Sequence, residues 1–365
     1  MISREKIKKT LSSYGKPVIS TICSHSALQI FAGAKEEGFK TLGICTKDRL
    51  ETYRAFPHAR PDEFLVVDSY SDILKPEFQK KLIEKSAIIV PHGSFVEYLG
   101  PKRIENDFEV PVFGNRQVLD WEGNRVKERK WLEAAAKLRM PKDVSSENID
   151  CLCIVKFDGA RGGSGYFLVS DKKELEEKLS KMPKDVAKTA TLQEYVVGRR
   201  YYFHYFYTPL SKDGFSAGNG SIELLGIDRR DESNIDELHR LGMDRDELQR
   251  RAINPSYTVT GNQPVVLRES LLPAAFSDAK KVVEASIKLF SPGIVGPFCL
   301  ETVCTPDLKL VTFEVSARIV AGTNIYSDGS QYSQLFFGER VSMGRRLAQE
   351  IKCAAKNGVL DKVVY

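Results

Sequence analysis

Between residues 154 and 169 an alternating apolar segment delivers Lys156, breaks into glycines at 159, 162, 163 and 165, and resumes as a second apolar segment. Two strands joined this way make a flap, because glycine accepts the backbone conformations that aim successive N–H groups at a phosphate. No Gly-Lys-Ser/Thr opens a helix after the loop, so this is not a Walker A cradle, and the spacing is not that of a dinucleotide fingerprint. Lys156 ends the first strand, where it can meet nucleotide phosphates with Gly162, Gly163 and Gly165 closing above them. The plainer alternative is an edge-strand lysine in solvent. Arg161, within the flap, reads by default as solvent-exposed.

A second set of candidates lies far along the chain. Glu301 and Glu314 each stand inside a short segment otherwise apolar enough to be buried, and a short turn around Pro306 separates the two segments. Antiparallel neighbours joined by such a turn can present both carboxylates to one cleft. Isolated buried carboxylates are costly, so the pair needs a counter-charge. A divalent cation bridging nucleotide phosphates supplies one, since magnesium takes one or two carboxylates plus phosphate oxygens. The competing reading is a structural ion pair between one glutamate and Arg318. Otherwise Arg318 is a catalytic candidate, as an anchor for a small carboxylate or a phosphoryl group. The run Glu194-Tyr195-Val196-Val197 ends a strand and reads as a hinge whose backbone groups can read an adenine edge.

These groups need elements to position them. The first 120 residues alternate strand and helix: strands over 18–23, 41–46, 64–68, 87–91 and 110–113, helices over 27–37 and 76–85. Short β-rich runs between helices predict a doubly wound parallel sheet, with ligands beyond the carboxyl ends of its strands. Two polar turns fall there, Ser24-His25-Ser26 and His92-Gly93-Ser94. The first passes into a helix, whose N-terminus favours phosphate; a serine cap with a core-facing histidine is the alternative. His92 can equally be a satisfied turn histidine, and His58, His204 and His239 have no partner pattern.

A helix over 126–139 connects to a small α+β unit read as strand, glycine loop, strand, helix over 172–181, strand over 191–197 and strand over 201–207. Residues 211–220, rich in Ser and Gly, read as a mobile loop. A β-rich region follows with strands over 222–228, 296–304 and 308–316, covered by helices over 274–289 and 340–355. The expected domains are 1–122, 123–207 and 208–365.

Composition narrows the class. The chain has 365 residues, 42% apolar and 28% charged, with a net charge of +5, which suits a globular protein of two or three domains. No basic run is interleaved with aromatics, against a nucleic-acid partner. Seven cysteines show no CxxC or metal-ligand spacing, and a bridge between Cys151 and Cys153 on one strand would be strained. A reducing compartment follows. The amphipathic N-terminus is unlike a signal peptide, no apolar run is long enough to span a bilayer, and a cytoplasmic location without a membrane partner is expected.

Connector helix, lysine strand, glycine flap, Glu-Tyr-Val-Val hinge and the two late acidic strands together resemble the ATP-grasp superfamily, preceded by a Rossmann-like domain. The runs at 24–26, 91–95, 113–116, 232–236, 254–257, 260–262, 296–299 and 314–324 are similar, over essentially the whole chain, to the formate-dependent 5-formaminoimidazole-4-carboxamide ribonucleotide synthetases of purine biosynthesis. That resemblance implies a ligase using ATP, formate and 5-aminoimidazole-4-carboxamide ribonucleotide (AICAR), with formyl phosphate as the activated acid. It implies that His25, Ser26 and Ser94 hold the ribonucleotide with Asn262. Glu232 and the hinge residues Glu194, Tyr195 and Val197 would contact ATP, and Glu301 and Glu314 would bind Mg²⁺ or Mn²⁺. A homo-oligomer is a further implication.

One departure matters. ATP-grasp proteins commonly carry Glu-x-Asn where this chain has Glu314-Val315-Ser316, so an amide metal ligand is missing, and tolerance of Gln at position 301 would make Glu314 the safer ligand. The alternatives are a paralogue acting on another nucleotide amine or carboxylate, and a non-catalytic nucleotide-binding module. Intact Lys156, Glu301 and Glu314 weigh against the second.

Overall fold

The structure, a computed structural model, describes residues 2–157, 166–232, 238, 240, 242–243, 250 and 258–365. Four apolar segments of the first ninety residues form a parallel sheet: β1 (Val18–Ile22), β2 (Lys40–Thr46), β3 (Glu63–Val67) and β4 (Ala87–Ile89), in the order β3-β2-β1-β4. Alternate residues serve two different cores. Ile22, Leu42, Ile44 and Ile89 join the main apolar cluster, while Ile19 and Ile88 pack with Ile30 and Ala34 of the Ala27–Glu36 helix. Both faces are thus covered, as the near-continuous apolar runs require. The segment expected as a strand over 110–113 forms a parallel bridge from Val112 to Ile89, then pairs with residues 364–365.

A small antiparallel sheet, β5 (Cys153–Lys156), β6 (Tyr166–Val169) and β7 (Thr191–Glu194), runs in the order β6-β5-β7. The Lys172–Ser180 helix packs on it through Leu175, and Asp171 caps that helix by accepting from the Glu174 N–H at 2.8 Å. Cys151 and Cys153 bring their sulfurs to 3.8 Å without a bridge, and all seven cysteines are free thiols.

The large sheet has six strands, β8 (Arg199–Thr208), β9 (Phe215–Ala217), β10 (Gly220–Glu232), β11 (Val259–Pro264), β12 (Gly296–Cys304) and β13 (Leu310–Ser316). Their order is β11-β10-β8-β12-β13, with β9 paired to β10. Two expectations change here. The strand over 201–207, grouped with the small unit by sequence, lies inside the large sheet, because its Phe203, Tyr205 and Tyr207 need the apolar cover available there. Part of the segment read as a mobile loop forms β9, a hairpin strand seating Phe215 against Phe276.

The Leu272–Leu289 helix covers the apolar face of this sheet through Ala275, Ala279, Val282 and Val283. Buried Trp131 donates its indole N–H to the Val282 carbonyl at 3.0 Å. Trp131 belongs to the connector expected as one α-helix, which is an α-helical turn (Arg125–Arg129) followed by a π-helical one (Lys130–Ala135). The Met343–Lys356 helix crosses the Ala27–Glu36 helix at two glycines: a Cβ on Gly344 would lie 2.1 Å from the Gln29 carbonyl oxygen. No helix among the described residues is long and apolar enough to cross a membrane.

Candidate active site

Directly opposed residues of an antiparallel ladder share a face. Phe203 opposes Ile227 and Leu300, and Leu300 opposes Val315; these belong to the apolar core. The other face is chemical. His204 opposes Gly226 and Cys299, Tyr202 opposes Asp228 and Glu301, Glu301 opposes Glu314, and Asn262 opposes Arg230 on the outer strand.

Glu314 reaches that face through a bulge. From the turn, Cys304 pairs with Leu310, Val303 with Val311 and Thr302 with Thr312; the register then slips so that Glu301 meets Glu314 and Phe313 has no partner. An unslipped ladder would set Glu314 opposite Leu300, on the apolar face. The bulge re-aims one side chain, as bulges beside active sites do.

The charges around the two glutamates are unequal. Arg230 lies across the Tyr202 ring, 3.6 Å from its centroid, and reaches Glu301 through both terminal nitrogens at 2.9 and 3.3 Å. The ion pair that sequence allowed between Arg318 and a strand glutamate is not formed: Arg318 pairs with Glu122 at 3.1 Å. Glu314 is accessible to solvent between the cleft walls and makes no ion pair among the described residues. Like-charge crowding by Glu301, then burial and Glu128, pushes its carboxyl up to about 8. Burial raises Glu128 to about 7, opposed by its hydrogen bond from the Val315 N–H at 2.8 Å. Glu122, at the end of the Val118–Glu122 helix, accepts from the Ala317 N–H, so it and Glu128 of the connector occupy outward N–H groups of the edge strand and its continuation.

No group of three or more His, Cys, Asp or Glu side chains among the described residues is arranged to hold a metal ion. The donor set fits magnesium only in its nucleotide mode, with carboxylates supplying part of the shell and phosphate oxygens the rest. Glu314 suits that part best, since Arg230 already compensates Glu301.

The second wall is the carboxyl edge of the parallel sheet. His25 adopts a left-handed backbone, φ 54°, a conformation non-glycine residues seldom take. Three contacts hold it: Nδ1 lies 2.7 Å from the Ser26 hydroxyl, its carbonyl accepts from Asn324 at 3.2 Å, and its ring stacks on His92 at 5.1 Å. Enclosure by the cleft walls, with Arg318 and Arg230 next, pushes its imidazole down to about 4. His92 is buried, brought down to about 3 by that burial and then by His25, and its Nε2 lies 3.0 Å from the Ile22 carbonyl. It is a satisfied turn histidine beneath His25. Ser24 and Ser94 join hydroxyls at 3.0 Å. A Cβ on Gly93 would sit 2.9 Å from His25 Nε2 and 3.5 Å from the Arg318 guanidinium carbon, so these groups converge.

The chain after β13 connects the two walls. Ile319 bridges to His92, Asn324 holds His25, and Gly322 packs on Asp228. On the small sheet, Lys156 hydrogen-bonds Gln193 at 2.8 Å; burial, then Arg125 and Arg200, lower its ammonium pKa while Glu314 opposes them. At the hinge, the Glu194 carboxylate accepts from the Lys142 N–H at 3.1 Å and lies 3.5 Å from Arg139, and the Tyr195 N–H donates to the Leu152 carbonyl. The Glu194 N–H donates to the Lys142 carbonyl at 2.8 Å, and Val197 is exposed. Glu232, at the end of β10, pairs with Arg200 at 3.4 Å. Gly162, Gly163, Gly165, Arg161 and His239 lie outside the described residues.

The structure therefore gathers His25, Ser26, Ser94 and Arg318 at one end of a cleft and Glu301 and Glu314 on its floor. Lys156 faces that floor electrostatically, and Asn262 lies on the outer strand of the floor. Sequence reasoning missed Glu122, Glu128, Tyr202, Asp228 and Arg230. It also left His204 without a partner, whereas His204 is buried 2.7 Å from Asp228.

Two family models match, one described as a protein of unknown function (DUF1246) over residues 19–144 and one as a domain of unknown function (DUF1297) over 171–365. The chain is 50% identical over 366 residues, the full length of both proteins, to the 5-formaminoimidazole-4-carboxamide-1-(beta)-D-ribofuranosyl 5'-monophosphate synthetase of Methanococcoides burtonii. Among solved structures it is similar to an IMP biosynthesis protein, PurP, from Thermococcus kodakaraensis. That match has a TM-score of 0.74 and 31% identity, covering 95% of this chain and all of that one. It is also similar to the ADP complex of an N5-carboxyaminoimidazole ribonucleotide synthetase, with a TM-score of 0.58 and 16% identity over 93% of this chain and 77% of that one. That last likeness bears on fold alone, and the fold is ATP-grasp behind a parallel-sheet domain. With full-length identity at this level, the chain belongs to the 5-formaminoimidazole-4-carboxamide ribonucleotide synthetase family.

Proposed function

We propose that this protein joins formate to the exocyclic amine of AICAR at the expense of ATP, giving the 5-formamido ribonucleotide, ADP and phosphate. The observation that carries this reading is the bulge-set opposition of Glu301 and Glu314 on the floor of a cleft. Lys156 of the small sheet is electrostatically coupled to Glu314, and His25 and Arg318 converge at Gly93, beside Ser94, which supports this reading.

Formate is a poor acyl donor because its leaving group would be oxide. Transfer of the γ-phosphoryl group to a formate oxygen breaks the bond to ADP and forms formyl phosphate, whose leaving group is phosphate. Such a transfer calls for positioning and charge neutralisation more than covalent help. Glu314 with Glu301 would hold magnesium, which would supply charge neutralisation of the triphosphate. Lys156 holds phosphate oxygens from the small sheet. Arg318, fixed through Nε by Glu122, keeps its terminal nitrogens for the formate carboxylate.

The ribonucleotide lies against His25, Ser26 and Ser94. His25 is neutral at physiological pH, given an imidazole near 4, and so offers hydrogen bonds rather than charge. The amine attacks the formyl carbon, and the tetrahedral oxyanion collapses with departure of phosphate, which carries away the proton that the amine gives up. Formyl phosphate hydrolyses readily, so water must be excluded before the first step. The test is phosphate release from ATP with AICAR and formate, with acetate or no acid as controls. Release requiring both AICAR and formate is expected; release indifferent to either would overturn the proposal.

A further inference from the structure

Asp228 is fully buried at the centre of the polar face, and both its oxygens are occupied. Oδ1 lies 2.7 Å from His204 Nε2, and Oδ2 accepts from Asn262 Nδ2 at 2.6 Å. Gly322 closes over it so tightly that a Cβ there would come within 2.3 Å of Oδ1. The carboxylate is therefore locked in place from three directions. His204 Nδ1 is buried without a partner. An orphaned acceptor is tolerated better there than an orphaned N–H, so the His204 proton is placed on Nε2, which donates to Asp228.

This arrangement controls Asn262. A carboxamide presents a donor at one end and an acceptor at the other, and an unrestrained one turns over to suit its ligand. Asp228, as a carboxylate, only accepts. Asn262 must direct Nδ2 toward it, which leaves Oδ1 on the opposite side. Asn262 is half-buried on the outer strand beside Arg230, and Oδ1 has no partner among the described residues. Arg230, the cross-strand neighbour that could have taken this oxygen, is engaged by Glu301.

We infer that Asp228 is a positioning and specificity-determining residue: through Asn262 it presents a fixed acceptor, so the site selects a base that offers an N–H donor and discriminates against one that offers an oxygen. The inference rests on the proposed reaction, in which the base carries two such donors, the 5-amine and the 4-carboxamide. A site built around a hydrogen bond rejects an analogue lacking it more strongly than an apolar pocket would, because the buried acceptor is left unpaired.

The experiment is calorimetric binding of three ribonucleotides to the full chain and to Asp228→Asn: AICAR, its 4-carboxylate analogue and its 5-deamino analogue. A non-hydrolysable ATP analogue is titrated separately. The wild-type protein is expected to prefer AICAR over at least one analogue by about tenfold or more, and the variant to narrow that ratio to within about threefold or to invert it, because an amide at 228 lets Asn262 turn over. The ATP analogue should bind both alike. The analogue whose ratio collapses identifies the donor. Asn262→Ala, which leaves Asp228 and its histidine intact, should narrow the same ratio even if Asp228→Asn does not fold. Equal weakening of all three ribonucleotides in both variants, or an unchanged ratio, would overturn the inference. Failure of AICAR to bind the wild-type protein would instead overturn the proposed reaction.

Discussion

Replacing Glu314 by glutamine should stabilise the metal-free protein while ending its turnover. Glu301 and Glu314 are directly opposed, which sets their Cβ atoms about 5 Å apart. Arg230 compensates the first, and the second makes no ion pair among the described residues. The Glu314 carboxyl is raised from 4.5 to about 8, chiefly by Glu301. A carboxyl whose folded pKa lies above its unfolded one binds its proton more tightly in the native state. Stability is therefore undiminished below 4.5 and falls as pH rises toward 8. At about 1.4 kcal/mol per pH unit that rise would be worth ~5 kcal/mol. Glu314 is open to water, and screening at an accessible site reduces the figure to about 1–2 kcal/mol. Thermal unfolding in the presence of a chelator, from pH 4 to pH 9, is the assay. The variant should match the wild type at the acid end and gain about 2–4 °C at the alkaline end. Its phosphate release should fall to background. A variant no more stable than wild type at pH 9, or one with near-native turnover, would refute the reasoning.

The two walls of the cleft should separate kinetically. Lys156→Ala should raise the KM for ATP about 10- to 100-fold, with that for the ribonucleotide little changed, and His25→Ala should do the converse; an inverted pattern in steady-state kinetics would show the pockets assigned the wrong way round. Gly344→Ala drives a Cβ to 2.1 Å from the Gln29 carbonyl oxygen and should cost about 2–3 kcal/mol in urea unfolding. A loss within error would mean that the two helices part easily.

What the chain discloses locally was readable. The parallel sheet follows from short apolar runs such as Val18 to Ile22 and Ala87 to Ile89, whose length and flanking helices depend on near neighbours alone. The polar turns at His25 and Ser94 fall at strand ends for the same reason. The opposition of Glu301 and Glu314 is different. Counting back from the turn by strict alternation pairs Glu314 with Leu300, and only the bulge at Phe313 corrects it. No glycine or proline marks that bulge in the sequence. Its neighbours include two carboxylates, Glu122 and Glu128, that bind N–H groups of the strand edge from more than 180 residues away.

Glu122 and Glu128 look like ordinary helix-surface charges, and the run from Asp228 to Glu232 looks like a solvated strand end. Arg230 and Asp228 gain their roles only when β8 brings Tyr202 and His204 alongside. The connector misled in another way: its apolar spacing fits one α-helix, but seating Trp131 beneath the Leu272–Leu289 helix goes with a π turn.

Formate labelled with oxygen-18 tests the proposed chemistry most directly. If the γ-phosphoryl group is transferred to a formate oxygen and phosphate later leaves the formyl carbon, each phosphate released in the complete reaction must carry one labelled oxygen from formate. Mass spectrometry of the phosphate should find that label at the level of the input acid. Unlabelled phosphate accompanying formylated product would mean that formate is never phosphorylated, and the activation step assigned to this cleft would be wrong.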